Sequence, residues 1–314
     1  MKKLLLFALM VGMTVCYTSC GSDDDDAEPA GMGNTVVGNT DAQAAHYAIK
    51  TNAAPTATTE NGQEVSLTGF NVTEYEQAVI EIDVDGAKKY KTYDVTVKDN
   101  VYTLYDKNTL VGTVEKVTTH AVSNVELVFK LNVSIEIDGQ TVPVQFDGST
   151  AAEETTQTSV STITSQLTNT WAVERMKLVL EFDDKSKADA STTTQGGDLR
   201  PFIDLAKKNG VKINEQDEED LTRTIESIII DKGNLFVIKY ADGRSDAATW
   251  SWTSQKEDSY AIGIKLKDDD MGNKFFNDDS KIAVVFRSGN KINLTMQTRL
   301  EDDDCTASLI VNLK

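Results

Sequence analysis

Apolar and polar residues alternate at a period of two over most of the chain, the spacing of strands that bury one face. Short runs are punctuated by turn residues: Asp85-Gly86 follows 78–84, Lys98-Asp99-Asn100 follows 93–97, and Asp138-Gly139 follows 133–137. Asp-Gly and Asn accept the positive φ of tight hairpins. A two-residue turn at Asp99-Asn100 sets Val97 opposite Tyr102 and Val95 opposite Leu104. Tyr93, Val95, Val97, Tyr102 and Leu104 then share one apolar face. Tyrosines grouped this way, with Tyr90 close by, suit packing between two sheets; stacking on sugar rings is the second use of the same side chains. Residues 45–148 are therefore expected to form an antiparallel β-sandwich-like domain.

A second strand-rich region, 166–314, opens with a strand from Trp171 to Phe182. Asp198, Pro201, a basic Lys207-Lys208 and Gly210 then form a complete helix signature over 199–209. Asn214 followed by Asp217 predicts a second short helix, with 215–220 massing acidic side chains at its positive end. Strands are predicted at 225–231, 235–240, 245–252, 259–267, 281–287, 291–299 and 305–313. With the first they make eight, joined by short turns, which suits an up-and-down antiparallel barrel whose closure removes sheet edges. Taking Asp242-Gly243 as a two-residue turn puts Leu235, Val237 and Lys239 on one face with Asp246, Ala248, Trp250 and Trp252. That face lines the barrel interior or fills it. Cys305, Ala307, Leu309, Val311 and Leu313 share a face of the last strand, so Cys305 reads as a buried structural thiol.

Between the two regions, 149–165 is rich in Thr, Ser, Ala and Glu and reads as a linker; 20–44 shows no apolar period and reads as a flexible acidic tether. The chain opens with Lys2-Lys3 and an apolar run, 4–15, too short to cross a bilayer as a stable helix, so 1–19 reads as a signal peptide. Its loss removes two of 31 basic side chains against 50 acidic ones, deepening a net charge of -19. Such a charge repels phosphate backbones and excludes nucleic acid as a partner.

Ser19 before Cys20 resembles the bacterial lipoprotein signal, which implies acylation of Cys20 and an anchor in the membrane. Ser22, Asp23, Asp24, Asp25 and Asp26 are similar to the export signal of Bacteroidota lipoproteins. The resemblance implies an outer-membrane protein facing the cell exterior. Trp171 near the start of its strand, and Asp242-Gly243 followed by Ala248-Thr249-Trp250, resemble the lipocalin-like (calycin-type) domains of such lipoproteins. Two helices after the first strand are similar to the lid of fatty-acid-binding proteins.

Catalytic constellations are scarce. His46 and His120 have no partner at a recognisable spacing, and no zinc-protease, nucleophile-elbow or phosphate-loop motif is present. Gly31-Met-Gly33 lies in the tether without a preceding strand and is not a dinucleotide fingerprint. Among 50 acidic residues any pair spacing arises by chance, so a two-carboxylate hydrolase is the third-ranked reading. Asp268–Asn273, Asp278-Asp279 and Asp302–Asp304 hold oxygen ligands suited to calcium but lack the EF-hand order, and solvated turns are the favoured reading. The expectation is a non-catalytic surface lipoprotein, without cofactor or metal, binding a small ligand or glycan at Trp250, Trp252, Leu235 and Val237. The alternative is an adhesin or an accessory subunit of a surface protein complex.

Overall fold

A computed structural model describes residues 45–49, 54–59, 62–118, 124–137, 140–156, 161–192, 197–211, 223–256, 259–265, 281–300 and 304–314. The signal peptide, Cys20, the 22–26 acidic run, the tether, Gly31, Gly33, His120, Asp138-Gly139, the helix expected at 214–220 and the acidic runs 268–273, 278–279 and 302–303 lie outside them.

The first region is a ring of eight antiparallel strands: β1 (Ala45–Ile49), β3 (Glu64–Val72), β4 (Gln77–Val84), β5 (Ala87–Lys98), β6 (Val101–Asp106), β7 (Thr109–Thr118), β8 (Asn124–Ile137) and β9 (Gln140–Thr156). Consecutive strands pair, β9 pairs with β1, and β1 pairs with the second half of β3, closing the circle. A short β2 (Thr56–Thr58) lies on the first half of β3. The expected sandwich is therefore corrected to a barrel, one sheet curled onto itself. The closing segment is the stretch read as the start of a linker: 149–156 belongs to β9, where Glu154 stands opposite Tyr47 and Ala152 opposite Ile49. It carries little apolar signal because its inward positions are a small alanine and a carboxylate.

Asp85-Gly86 and Asp99-Asn100 are the expected two-residue hairpins, all four residues at positive φ. Val97 pairs with Tyr102 and Val95 with Leu104, as the alternation predicts. These strands send Tyr47, Phe70, Ile80, Tyr93, Leu104, Leu127 and Phe129 into one buried core.

The second ring follows α1 (Thr162–Leu167), a helix the sequence reading did not predict, which overlaps the end of the stretch read as a linker. Its strands are β10 (Asn169–Phe182), β13 (Thr224–Ile230), β14 (Leu235–Tyr240), β15 (Ser245–Lys256), β16 (Ser259–Lys265), β17 (Lys281–Arg287), β18 (Lys291–Leu300) and β19 (Cys305–Leu313). They are the eight expected strands. Neighbours in sequence pair and β19 returns to β10, so the barrel is closed. Two short strands, β11 (Lys187–Ser191) and β12 (Gly197–Asp198), lie outside the ring on β10 and β13.

One helix follows the first strand among the described residues, α2 (Arg200–Lys208). Asp198 Oδ1 accepts the Arg200 backbone N–H at 3.1 Å, and Gly210 takes φ 79° just past the end. Its apolar face buries Phe202, Ile203 and Ala206 in the barrel core. The other helix, α1, precedes the ring: Ser161 caps it, and Leu167 is fully buried in the same core.

The barrels meet side by side. Val79, Tyr90 and Tyr75 from the outer surface of the first pack on Ile229, Leu235, Val237 and Ala247 of the second. A backbone bridge joins Tyr90 to Ser245, and the Thr92 and Ser245 hydroxyls lie 2.7 Å apart. At one end of this seam His46 Nε2 lies 2.8 Å from Oδ2 of Asp231, a fully buried carboxylate whose Oδ1 accepts the Leu235 N–H at 2.7 Å. The imidazole sits in a notch made by Gly233, where a Cβ would fall 2.1 Å from Nε2. Lys232 pairs with Glu74 beside it. At the other end Arg244 reaches Glu136 at 3.2 Å and Lys91 donates to the Gly243 carbonyl at 3.3 Å. Burial lowers the Lys91 pKa against the pull of Asp106, Asp242 and Glu136.

Candidate ligand-binding site

The four side chains singled out in the second barrel divide between two surfaces. The turn after β14 contains three residues rather than two: Tyr240 N–H donates to the Arg244 carbonyl, and Gly243 takes φ 85°. Lys239 therefore pairs with Ser245 and not with Asp246. A slip of one residue turns every side chain of a strand to the opposite face. Trp250 and Trp252 thus share the interior with Phe236 and Ile238, whereas Leu235 and Val237 lie outside, in the seam.

Inside the barrel the tryptophans begin a row of rings. Trp250 meets Trp252 edge to face at 5.8 Å, Trp252 meets Tyr260 at 6.2 Å, and Tyr260 meets Phe286 at 5.3 Å. Such edge-to-face pairs are the preferred aromatic geometry. Trp250 is buried, with its Nε1–H donated to the Asp231 carbonyl at 2.9 Å, but Trp252, Tyr260 and Phe286 are each partly exposed. The row thus runs from the core to the surface at the end where β10 begins. Trp252 Nε1–H donates to Thr164 Oγ1 of α1 at 2.9 Å, and Trp171 Nε1–H to the Leu167 carbonyl at 2.8 Å. Helix α1 is thereby pinned across that end by two indoles. Cys305 is buried at the head of β19, as its alternation predicts.

The first barrel holds a second chemical grouping, which the sequence reading did not single out. Tyr47 on β1 is fully buried, 2.8 Å from the Tyr102 hydroxyl, and donates to Glu154 Oε1 at 3.3 Å. Lys116 Nζ pairs with the same carboxylate oxygen at 2.8 Å and lies 5.9 Å above the Tyr47 ring. Burial, then the bond with Tyr102, push the Tyr47 pKa far above its ordinary 10.0, so the phenol stays protonated. Phe70 stacks beneath Tyr47 at 5.8 Å and meets Tyr102 edge-on at 5.4 Å. The available signal was register: Lys116 follows Val114, and Glu154 follows Ala152, at positions where the alternation points inward.

Among the described residues no group of three or more His, Cys, Asp and Glu side chains is placed to hold a metal ion. Asp304, the described member of the third acidic run, lies 3.9 Å from Arg299. No described helix is long and apolar enough to cross a membrane.

No family model matches the chain, and no curated protein matches it. A solved structure, kievitone hydratase from Nectria haematococca, aligns over 88% of this chain and 89% of its own at 7% identity, with a TM-score of 0.22. A superposition that loose carries no argument about fold or activity.

Proposed function

We propose that this protein is a non-catalytic, lipid-anchored lipoprotein of the outer cell surface that binds a small ligand or glycan. The observation that carries the binding half is the row Trp252, Tyr260 and Phe286, partly exposed rings at one end of a closed barrel and continuous with buried Trp250. Because successive rings stand edge to face, the exposed part of the row offers separate apolar faces, against one of which a sugar ring or a planar ligand can lie, and the Trp252 N–H bond to α1 holds the innermost exposed ring in place. Anchoring rests on Ser19-Cys20 and the acidic run behind it. Two or more acyl chains give a stable attachment, each buried CH₂ contributing about 0.8 kcal/mol.

Closure of both rings weighs against the adhesin or subunit reading, which needs an open principal edge or a broad apolar patch. Among the described residues the exposed large apolar side chains are Leu110 and Val117, seven positions apart on β7, and Val285 on β17 of the other barrel, so they form no broad patch.

The test uses the mature chain purified without detergent. Native mass spectrometry before and after incubation with lipid and glycan extracts should show a stoichiometric small molecule, and its binding should alter tryptophan emission. All three tryptophans of the chain lie in the second barrel. An unchanged mass and spectrum would overturn the binding half. Anchoring is tested separately by labelled fatty acid, whose incorporation should vanish in Cys20→Ser.

A further inference from the structure

Inward-facing charge is rare in a barrel of this size, because small barrels fill their interiors with apolar side chains. Where the rule is broken, function is the usual reason. The first barrel breaks it with Lys116 on β7 and Glu154 on β9, whose side chains keep 21% and 17% of their exposure, above phenols that keep almost none. Solvent therefore reaches the ion pair but not the floor beneath it.

The hydrogen bonds of the group can be followed atom by atom. The one proton of the Tyr47 hydroxyl goes to Glu154 Oε1, so the 2.8 Å contact with Tyr102 is donated by Tyr102. Lys116 uses one N–H on the same Oε1. Glu154 Oε2, a lone pair of Tyr102 and the remaining N–H groups of Lys116 have no partner among the described residues. The group thus presents acceptors and donors side by side. Lys116 and Glu154 cancel in charge, so an ion entering here would lose its hydration without meeting an uncompensated counter-charge. Hydroxyls, which donate and accept at once, match this surface.

We propose that the Asp99-Asn100 end of the first barrel is a binding site for a neutral, polyhydroxylated ligand, the terminal residue of a saccharide. One hydroxyl donates to Glu154 Oε2 and its neighbour accepts from Lys116, while the Tyr47–Tyr102 bond sets the orientation of the carboxylate from below. The site is separate from the aromatic row of the second barrel and stands whether or not that row binds.

The mature chain is applied to a printed array of neutral oligosaccharides, and the best binder is followed by chemical-shift mapping and tryptophan emission. The expected result is retention of at least one neutral saccharide, shifts centred on Tyr47, Tyr102, Lys116 and Glu154, and unchanged tryptophan emission. Glu154→Gln should weaken binding about tenfold, as expected for loss of a charge-assisted bond, Tyr102→Phe should weaken it less, and outward-facing Glu115→Gln should leave it intact. Shift mapping on the unsubstituted protein decides the matter even if a variant folds poorly. No saccharide retained, shifts at Trp252 and Tyr260 but none at Glu154 for every saccharide retained, or full affinity in a folded Glu154→Gln would each overturn the proposal and leave the four residues as a plug of the barrel.

Discussion

The two barrels have the same strand number and the same up-and-down order, yet they treat their interiors differently. The first admits a lysine, a glutamate and three phenols among its inward positions, and is bounded by hairpins and loops. The second draws two helices against its core, so Leu167 of α1 and Phe202 of α2 join the side chains of the strands. Equal topology therefore leaves chemistry open. What differs is which few inward registers depart from the apolar alternation, and whether a helix is available to cover the end.

The comparison can be broken most forcefully at the seam. Val237 is fully buried against the first barrel, and Val237→Asp places an unpaired charge there, at a cost of about 3–5 kcal/mol. Scanning calorimetry should show one transition for the unsubstituted protein and two for the variant, each barrel then melting with its own core. A single transition at the original temperature in the variant would mean that the seam does not couple them.

Next in size is the His46 notch. His46→Ala takes a partner from the buried Asp231 carboxylate and should cost about 1–3 kcal/mol. Gly233→Ala should cost a similar amount by pushing the imidazole out. In the double variant the new methyl meets no ring, so the two losses should be clearly less than additive in denaturant titrations.

Alkaline titration sharpens the contrast between interiors. Burial raises the pKa of Tyr47 and Tyr93 in the first barrel and of Tyr75 at the seam above the ordinary 10.0. Above that value the unfolded chain releases these protons while the folded one keeps them, so stability falls as pH rises past about 10. Absorbance at the phenolate band should show these tyrosines ionising only with unfolding.

The smallest effect belongs to Asp242. Its partial burial raises its pKa, but the bonds from Arg244 outweigh this and hold the carboxyl below 3.8. The stability it contributes is present above the unfolded carboxylate value and is lost as pH falls through the folded one. Asp242→Asn should lower the melting temperature slightly at pH 7, and the difference should shrink as pH falls below the unfolded carboxylate value.

The strands of the second barrel were legible because they are short, apolar on alternate residues and separated by Gly and Asn turns. The Asp99-Asn100 register was legible for the same reason. The Asp242-Gly243 register was not: a tight two-residue turn and a three-residue loop ending in a left-handed glycine share the same dipeptide, and only the backbone bond from Tyr240 to Arg244 separates them. That one-residue difference moved Leu235 and Val237 out of the candidate site. His46 was seen without a partner because Asp231 lies 185 residues away, a distance over which no local pattern extends. The closing half of β9 was hidden by its own composition, since Ala152 and Glu154 are poor evidence for a buried face.

Strand β1 is the first described strand, and its position has a mechanical consequence. It is held on both flanks, by β3 and β9, and its outward His46 grips the second barrel. A pull applied to the chain ahead of Ala45 runs along this strand, so it strains the two ladders together in shear instead of opening them one bond at a time. The same pull passes through the imidazole into the second barrel. Tension from the N-terminal side is thus shared between both bodies before either strand ladder yields.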